Sequence, residues 1–259
     1  MEIKVSIITA TYNSAHGIEA CLDSILSQDY KNIECLIIDG QSKDQTLEIV
    51  SQKQKSHSCI KIVSESDKGI YDALNKGIAL ASGDLIGFVH SDDLLASSNV
   101  ISKLVSKIHH ENLDGVYGDL QYVDKINTNK IIRFWKSCKF QPELLKRGWL
   151  PAHPTLILKK EVYLEHGVFN KSFKIAADYD FMLRIFKDSN LKFGYLPKVV
   201  TKMRIGGASN RSIKNIIKKS KEDYRAICSN NIGGFITLLL KNTSKIKQFL
   251  IKKVRFTID

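Results

Sequence analysis

The chain lacks most of the short signatures by which common enzyme classes are recognised. Its five cysteines (Cys21, Cys35, Cys59, Cys138 and Cys228) are odd in number and scattered, with no C-x-x-C pair. That argues against a disulfide framework or a zinc site, fits a reducing cytosol, and leaves the thiols to read as small core hydrophobes. No apolar run reaches the roughly 20 residues that a membrane span needs. The opening "MEIKVSIITATYN" has no basic region followed by a long apolar one, so no secretory leader is expected. The turn "TATYNSAHG" holds no G-x-G-x-x-G, which disfavours an oxidoreductase-type dinucleotide site. Also missing are G-x-x-x-x-G-K-[ST], H-E-x-x-H and G-x-S-x-G, so P-loop phosphoryl transfer and two hydrolase templates are disfavoured. There is no internal repeat and no low-complexity linker.

What the chain does have is alternation. In 259 residues, long enough for one sizeable domain, apolar strands and helical patterns follow one another. "KVSIITATY" reads as a strand. In "GIEACLDSILSQ", Ile18, Cys21, Leu22, Ile25 and Leu26 fall at helical spacing. The strands "NIECLIID" and "CIKIVSE" each precede a helix, the second being "IYDALNKGIALAS", and "DLIGFV" is a fourth strand. Such repetition predicts a doubly wound, mostly parallel sheet with helices on both faces. The second half is less regular. Strands are expected at "GVYGDLQYVD" and "IIRFWKS", a strand running into a helix at "TLILKKEVYLEHGVF", a helix at "AADYDFMLRIFKDS", and two short strands around Pro197.

In a sheet of this kind ligands bind beyond the carboxyl ends of the strands. Four strand ends here are polar: Thr11-Tyr12-Asn13, Asp39-Gly40, Glu65 to Gly69, and His90-Ser91-Asp92-Asp93. In the last of these, two adjacent carboxylates end an apolar run. Either they cap the helix that follows, or they hold a hard cation such as Mg²⁺ or Mn²⁺, which relieves their repulsion and neutralises a diphosphate leaving group.

The segments from Lys4 to Asp93, then "HPTLILKKEVYLEHGVFNKSFKIAADYDFMLR" and a stretch ending near "MRIGGASN", resemble the family 2 glycosyltransferases. These are inverting, sugar-nucleotide-dependent enzymes with a GT-A fold. "DKGIYDALNKGI" is most similar to the branch that builds bacterial exopolysaccharide and O-antigen units. The resemblance implies that Thr11, Tyr12, Asn13 and Asp39 line the nucleobase pocket. It also implies that Asp67, Lys68, Asp72, Asn75, Ser91 and Asp92 attend the donor, and that Asp92 and Asp93 hold the metal and diphosphate. Asp178 then stands where the family has its general base, which takes the acceptor hydroxyl proton as that hydroxyl attacks the anomeric carbon. His153, Trp149, Asp180 and Arg204 fall to the sugar or acceptor side, with Asp180 the reserve base.

There are departures from the family pattern. His90 stands where the family often has Asp, Ala177 where it has Glu, and Leu74 where it has an Arg that meets the diphosphate; Lys68 or Arg204 would supply that charge here. The His90 and Ala177 departures sustain the alternative of a non-catalytic nucleotide-sugar-binding subunit.

The net charge of +12 is concentrated in residues 211–259, which carry twelve Lys/Arg against three acids. With the apolar residues of "GGFITLLLKNTSKIKQFLIKKVRF" at helical period, that stretch reads either as an interfacial membrane helix or as a helix packed on the domain. The absence of interleaved aromatics argues against nucleic acid. The expected organisation is a nucleotide-sugar-binding half (1–125), an acceptor-side half of the same domain (126–210) and a basic helical extension (211–259). The expected partners are a UDP-sugar and a saccharide or lipid-diphosphate-linked acceptor. The expected location is the cytoplasm, with a peripheral place on the cytoplasmic face of the inner membrane if the basic stretch is the interfacial helix.

Overall fold

The computed structural model describes residues 2–206 and 213–250. The expectations that fall on 207–212 and 251–259, including the ends of the basic stretch, lie outside the described residues. In chain order the elements are β1 (Val5–Thr11), α1 (Ala15–Leu26), β2 (Ile33–Asp39), α2 (Thr46–Ser56), β3 (Ile60–Ser64), α3 (Ile70–Leu80), β4 (Leu85–Phe88), β5 (Leu94–Leu95) and α4 (Val100–Glu111). The second half adds β6 (Gly115–Val123), β7 (Ile131–Trp135), α5 (Glu143–Lys146), a 3-10 turn (His153–Thr155), β8 (Ile157–Lys159) and α6 (Lys160–His166). It ends with α7 (Ala177–Phe186), β9 (Phe193–Arg204), α8 (Ile213–Ser229) and α9 (Phe235–Leu250).

Among the described residues all nine strands join one sheet, in the order β3-β2-β1-β4-β8-β6-β9-β5, with β7 paired to β6. β3, β2, β1 and β4 are parallel, as is the long pairing of β6 with β9; β8 and the short β5 run antiparallel to their neighbours. Alternate residues of each buried strand enter two different cores. From β1 and β2, Val5, Ile7, Cys35 and Ile37 pack beneath α1, α2 and α4. Ile8, Ala10, Leu36 and Ile38 pack with α3, α6, α7 and the inner face of α8. This is the two-sided burial that produces apolar runs instead of strict alternation. The chain leaves β1 towards β2 and β3 and then returns to β4 on the other side, so the order reverses between β1 and β4. The loops after these two strands, Thr11 to Ser14 and His90 to Asp93, therefore flank the crevice where a ligand fits.

Three expectations are corrected. Pro197 does not divide two strands: β9 runs through it, and the register with β6 slips between Tyr117 and Leu120. Proline cannot donate to the ladder, so it sits in a bulge. The bulge closes over Gly118, where a Cβ would lie 2.4 Å from Val200 and 2.7 Å from the Lys198 carbonyl. Asp92 and Asp93 do not cap a helix, because Leu94-Leu95 form β5 and α4 begins only at Val100, with Asn99 before it. Finally, only Cys21 and Cys35 are buried thiols; Cys59 is half-buried, and Cys138 and Cys228 are exposed.

Candidate active site

The crevice is assembled by loops that hold one another. Asp39, fully buried at the end of β2, accepts hydrogen bonds from the Ser42 backbone N–H (3.0 Å), the Ser42 hydroxyl and the Ser64 hydroxyl (2.7 Å). This fixes the Gly40–Ser42 turn. The turn in turn fixes Asn13, whose N–H donates to Ser42 Oγ and whose Oδ1 accepts from the Lys43 N–H, both at 2.9 Å. Asn13 has φ 49°, a left-handed conformation that Asn tolerates better than most residues. The result presents the Tyr12 ring 59% exposed at the mouth, beside Gly40. A Cβ on Gly40 would lie 2.5 Å from Asp67 Oδ2, so glycine there lets Asp67 reach the same corner. Asp67 is held by the Gly69 N–H at 2.8 Å.

The second loop is stitched to the first by Ser14 Oγ and Ser91 Oγ, 2.9 Å apart. The start of α1 rests directly on its backbone: a Cβ at Gly17 would lie 3.0 Å from the Ser91 carbonyl. Arg204, at the end of β9, ties the carboxylate pair. Its guanidinium donates to the Asp92 carbonyl (2.7 Å) and its N–H to Asp93 Oδ1 (3.2 Å). Asp93 is 1% exposed, and its Oδ2 has no hydrogen-bond partner among the described residues. Burial, and then the charge of Asp92, push its carboxyl well above the usual range against the pull of Arg204. An unpartnered buried carboxylate oxygen next to a second carboxylate is what a hard divalent cation would complete. Among the described residues no three His, Cys, Asp or Glu side chains gather as a ready cage. A Mg²⁺ or Mn²⁺ held here would thus depend on substrate oxygens and water for the rest of its shell.

On the opposite wall Asp178 occupies the first turn of α7. The Tyr71 hydroxyl of α3 lies 3.0 Å from its Oδ1 and 2.8 Å from the Ile175 carbonyl. His153 is buried between the rings of Phe88 (5.1 Å) and Phe169 (5.4 Å). Burial brings its pKa down to about 4, despite the charge of Asp178, so it is a neutral imidazole at pH 7. His90 lies between the two walls. Burial lowers its pKa, while the charges of Asp92 and Asp178 both oppose that shift. Its Nδ1 has no partner among the described residues.

Tyr12, Asp67, Asp92, Asp93, Arg204, His153 and Asp178 are therefore gathered around the crevice, with Thr11 buried at its floor. Several other expected residues are engaged elsewhere. Asn75 exchanges two hydrogen bonds with the Phe169 backbone (2.8 and 3.0 Å). Asp72 pairs with Lys171 (2.8 Å) and receives the Lys68 N–H, and the Lys68 side chain is exposed. Asp180 accepts from Asn230 (2.9 Å) and lies 3.6 Å from Arg184, so it joins α7 to the end of α8 and does not serve as a second base. Trp149 packs edge-on to Tyr117 in the core, so it is not a free sugar platform. Ser91 is spent on Ser14.

Sequence reasoning missed Tyr71, although it stands inside "DKGIYDALNKGI". It also missed Lys219 of α8, which bridges to Asp223 at 3.1 Å. Burial would lower the pKa of Lys219, but the charges of Asp223 and Asp178 outweigh it and raise it, so α8 reaches the surroundings of Asp178.

A Rossmann-like parallel half-sheet with carboxylates at its switch point, joined to a mixed half that brings a lone aspartate opposite, is the framework of a nucleotide-sugar transferase. The comparisons agree: the profile of the family "Glycosyl transferase family 2" matches residues 6–163, and the chain belongs to that family. It is a glycosyltransferase with the GT-A fold. A "PGL/p-HBAD biosynthesis glycosyltransferase" of Mycobacterium bovis is 31% identical over 218 residues, covering 83% of this chain and 82% of the relative. The S. aureus TarS 1-349 structure in complex with UDP-GlcNAc superposes with a TM-score of 0.68 at 19% identity, over 87% of this chain and 66% of that 1-349 chain. The mannosyltransferase PcManGT from Pyrobaculum calidifontis, in complex with GDP-Man and Mn²⁺, gives 0.67 at 18% identity, over 98% and 77%. At these identities the two structures speak for the fold.

Proposed function

We propose that the protein transfers a sugar, with inversion, from a UDP-sugar to a hydroxyl of a saccharide or lipid-linked acceptor in cell-surface polysaccharide synthesis. The observation that carries the reading is the placement of His90: burial disfavours its ionisation, while the charges of Asp92 and Asp178 both favour it, so the donor carboxylates and the lone base both lie close to one imidazole. Tyr12 would stack on the base, and Asp67 would bind the ribose side. Asp92 and Asp93 would hold Mg²⁺ or Mn²⁺, which when bound makes the nucleoside diphosphate a better leaving group. Arg204 would add positive charge at the same place. Asp178 would accept the acceptor hydroxyl proton, and a neutral His153 would present a hydrogen-bonding ring without competing for it. Structural neighbours that hold UDP-GlcNAc, and GDP-Man with Mn²⁺, support the class of a nucleotide-sugar donor and a divalent cation. Calorimetry with UDP, GDP and dTDP, with and without Mn²⁺, tests it. One nucleotide is expected to bind in a Mn²⁺-dependent way and to lose that dependence in Asp92→Ala. Absence of binding by all three would overturn the reading.

The lipid-linked acceptor finds support in the C-terminal helices. Ile216 and Ile217 of α8 and Phe235, Ile236, Leu239 and Leu240 of α9 are exposed apolar residues in the segment that carries the excess of lysine. Among the described residues no helix is long and apolar enough to cross a membrane. A surface contact is the alternative this composition suits, worth about 1 kcal/mol per basic residue near anionic lipid. The full chain is expected to sediment with phosphatidylglycerol vesicles at low salt and not with phosphatidylcholine vesicles. Phe235→Ser/Ile236→Ser should reduce the bound fraction without changing nucleotide affinity.

A further inference from the structure

The helix that carries Asp178 begins without a local cap. The residues before its first turn are Ile175 and Ala176, and neither can satisfy the free N–H groups of a helix start. What is held instead is the backbone just ahead of the helix, by α8, 46 residues downstream of Ala176. Glu222, 9% exposed, takes the N–H groups of Lys174 (2.9 Å), Ile175 (2.8 Å) and Ala176 (3.0 Å) on Oε2, and a second bond from Lys174 (3.1 Å) on Oε1. The same Ile175 offers its carbonyl to the Tyr71 hydroxyl, which also touches Asp178. α8 is itself anchored, since Asp223 meets Lys241 of α9 at 2.6 Å and that lysine lies over the Tyr179 ring at 3.3 Å.

We infer that Glu222 is a positioning residue for Asp178: its carboxylate fixes the backbone of residues 174–176 and so sets where Tyr71 and Asp178 stand in the crevice. The inference rests on the assignment of Asp178 as the base. It also makes the basic C-terminal stretch part of the catalytic framework, because one of the few acids within it holds the helix that presents the base.

Around Asp178 stand Tyr71 of α3, His90 after β4, His153 of the 3-10 turn and Lys219 of α8; Asp180, on its own helix, is turned to Asn230.

The test measures nucleotide release with Mn²⁺ from UDP-glucose, UDP-galactose, UDP-N-acetylglucosamine and GDP-mannose, taking the fastest donor forward. Glu222→Gln is expected to lower kcat roughly 10- to 100-fold with donor KM unchanged, and amide exchange at 174–176 should speed up. Tyr71→Phe is expected to lower kcat with donor KM unchanged. Glu222→Asp keeps the charge on a shorter arm and should give an intermediate kcat; it decides the matter alone if the glutamine variant does not fold. Wild-type kcat in the Glu222 variants, or a loss matched by a rise in donor KM, would overturn the role. Asp178→Asn run in parallel separates the two failures. Turnover that survives it removes the base assignment, whereas a dead Asp178→Asn beside Glu222 variants of wild-type kcat removes only the positioning role.

Discussion

Asp178→Asn is expected to reduce kcat by roughly 10²- to 10⁴-fold, the range that one positioned proton acceptor supplies, while the nucleotide binds as it does to the wild type. The substitution keeps the shape of the side chain and an oxygen for the Tyr71 hydroxyl, which sits 3.0 Å from Oδ1. What it removes is the ability to take a proton. Two of its neighbours are poor substitutes. Asp180 is committed to Asn230 and Arg184, and His153 is held neutral at neutral pH by burial between two phenylalanines. His153 could still accept a proton, but doing so would create a buried cation, the state its environment already disfavours. The measurement is single-turnover nucleotide release beside calorimetric nucleotide affinity. A kcat within tenfold of the wild type would move the base elsewhere, and a collapse of nucleotide affinity would show that Asp178 serves binding.

The parallel half of the sheet was legible because its signal is local. Buried strands write themselves as apolar runs, amphipathic helices as 3.6-residue periodicity, and their boundaries as polar loops, so β1 to β4 and α1 to α3 follow from "KVSIITATY" to "DLIGFV". The strand-end residues were legible for the same reason, since topology alone sends them to one edge. What escaped was everything that depends on partners distant in sequence. Asn75 reads like a donor ligand until Phe169, 94 residues away, is seen to occupy both ends of its amide. Asp180 reads like a reserve base until α8 supplies Asn230. Pro197 reads as a break because a proline inside a strand normally is one; only the register with Gly118 shows that a bulge absorbs it. Glu222 carries no motif at all. Its one sequence signal is that it and Asp223 interrupt a run of basic residues, and an interruption of charge pattern says that a partner exists without saying which.

Asp93→Asn should make the unliganded protein more stable and a worse nucleotide binder. The carboxyl of Asp93 is sealed beneath the crevice, beside Asp92, with Oδ2 lacking a partner among the described residues. A carboxyl whose pKa is raised on folding opposes folding at every pH where the unfolded chain would ionise it, from about pH 4 upward. The asparagine removes that cost and keeps an oxygen for the Arg204 N–H. A gain of about 1–2 kcal/mol is the usual scale when a functional site is relieved of such a group, and it corresponds to roughly 2–4 °C in Tm per kcal/mol for a chain of this size. The gain should shrink as the pH falls towards 4, where wild type and variant both become neutral at this position. With Mn²⁺ present the order should reverse, because the proposed cation then offsets the repulsion between Asp92 and Asp93 only in the wild type. Nucleotide affinity in Mn²⁺ should fall roughly 100-fold in the variant, on the scale of losing an oriented group at a metal site. Thermal melts from pH 4 to pH 8, with and without Mn²⁺ and UDP, separate the possibilities. A variant less stable than the wild type without cation would mean that Asp93 already has its partner inside the fold. Stabilisation without loss of cation-dependent binding would leave the metal to Asp92 alone.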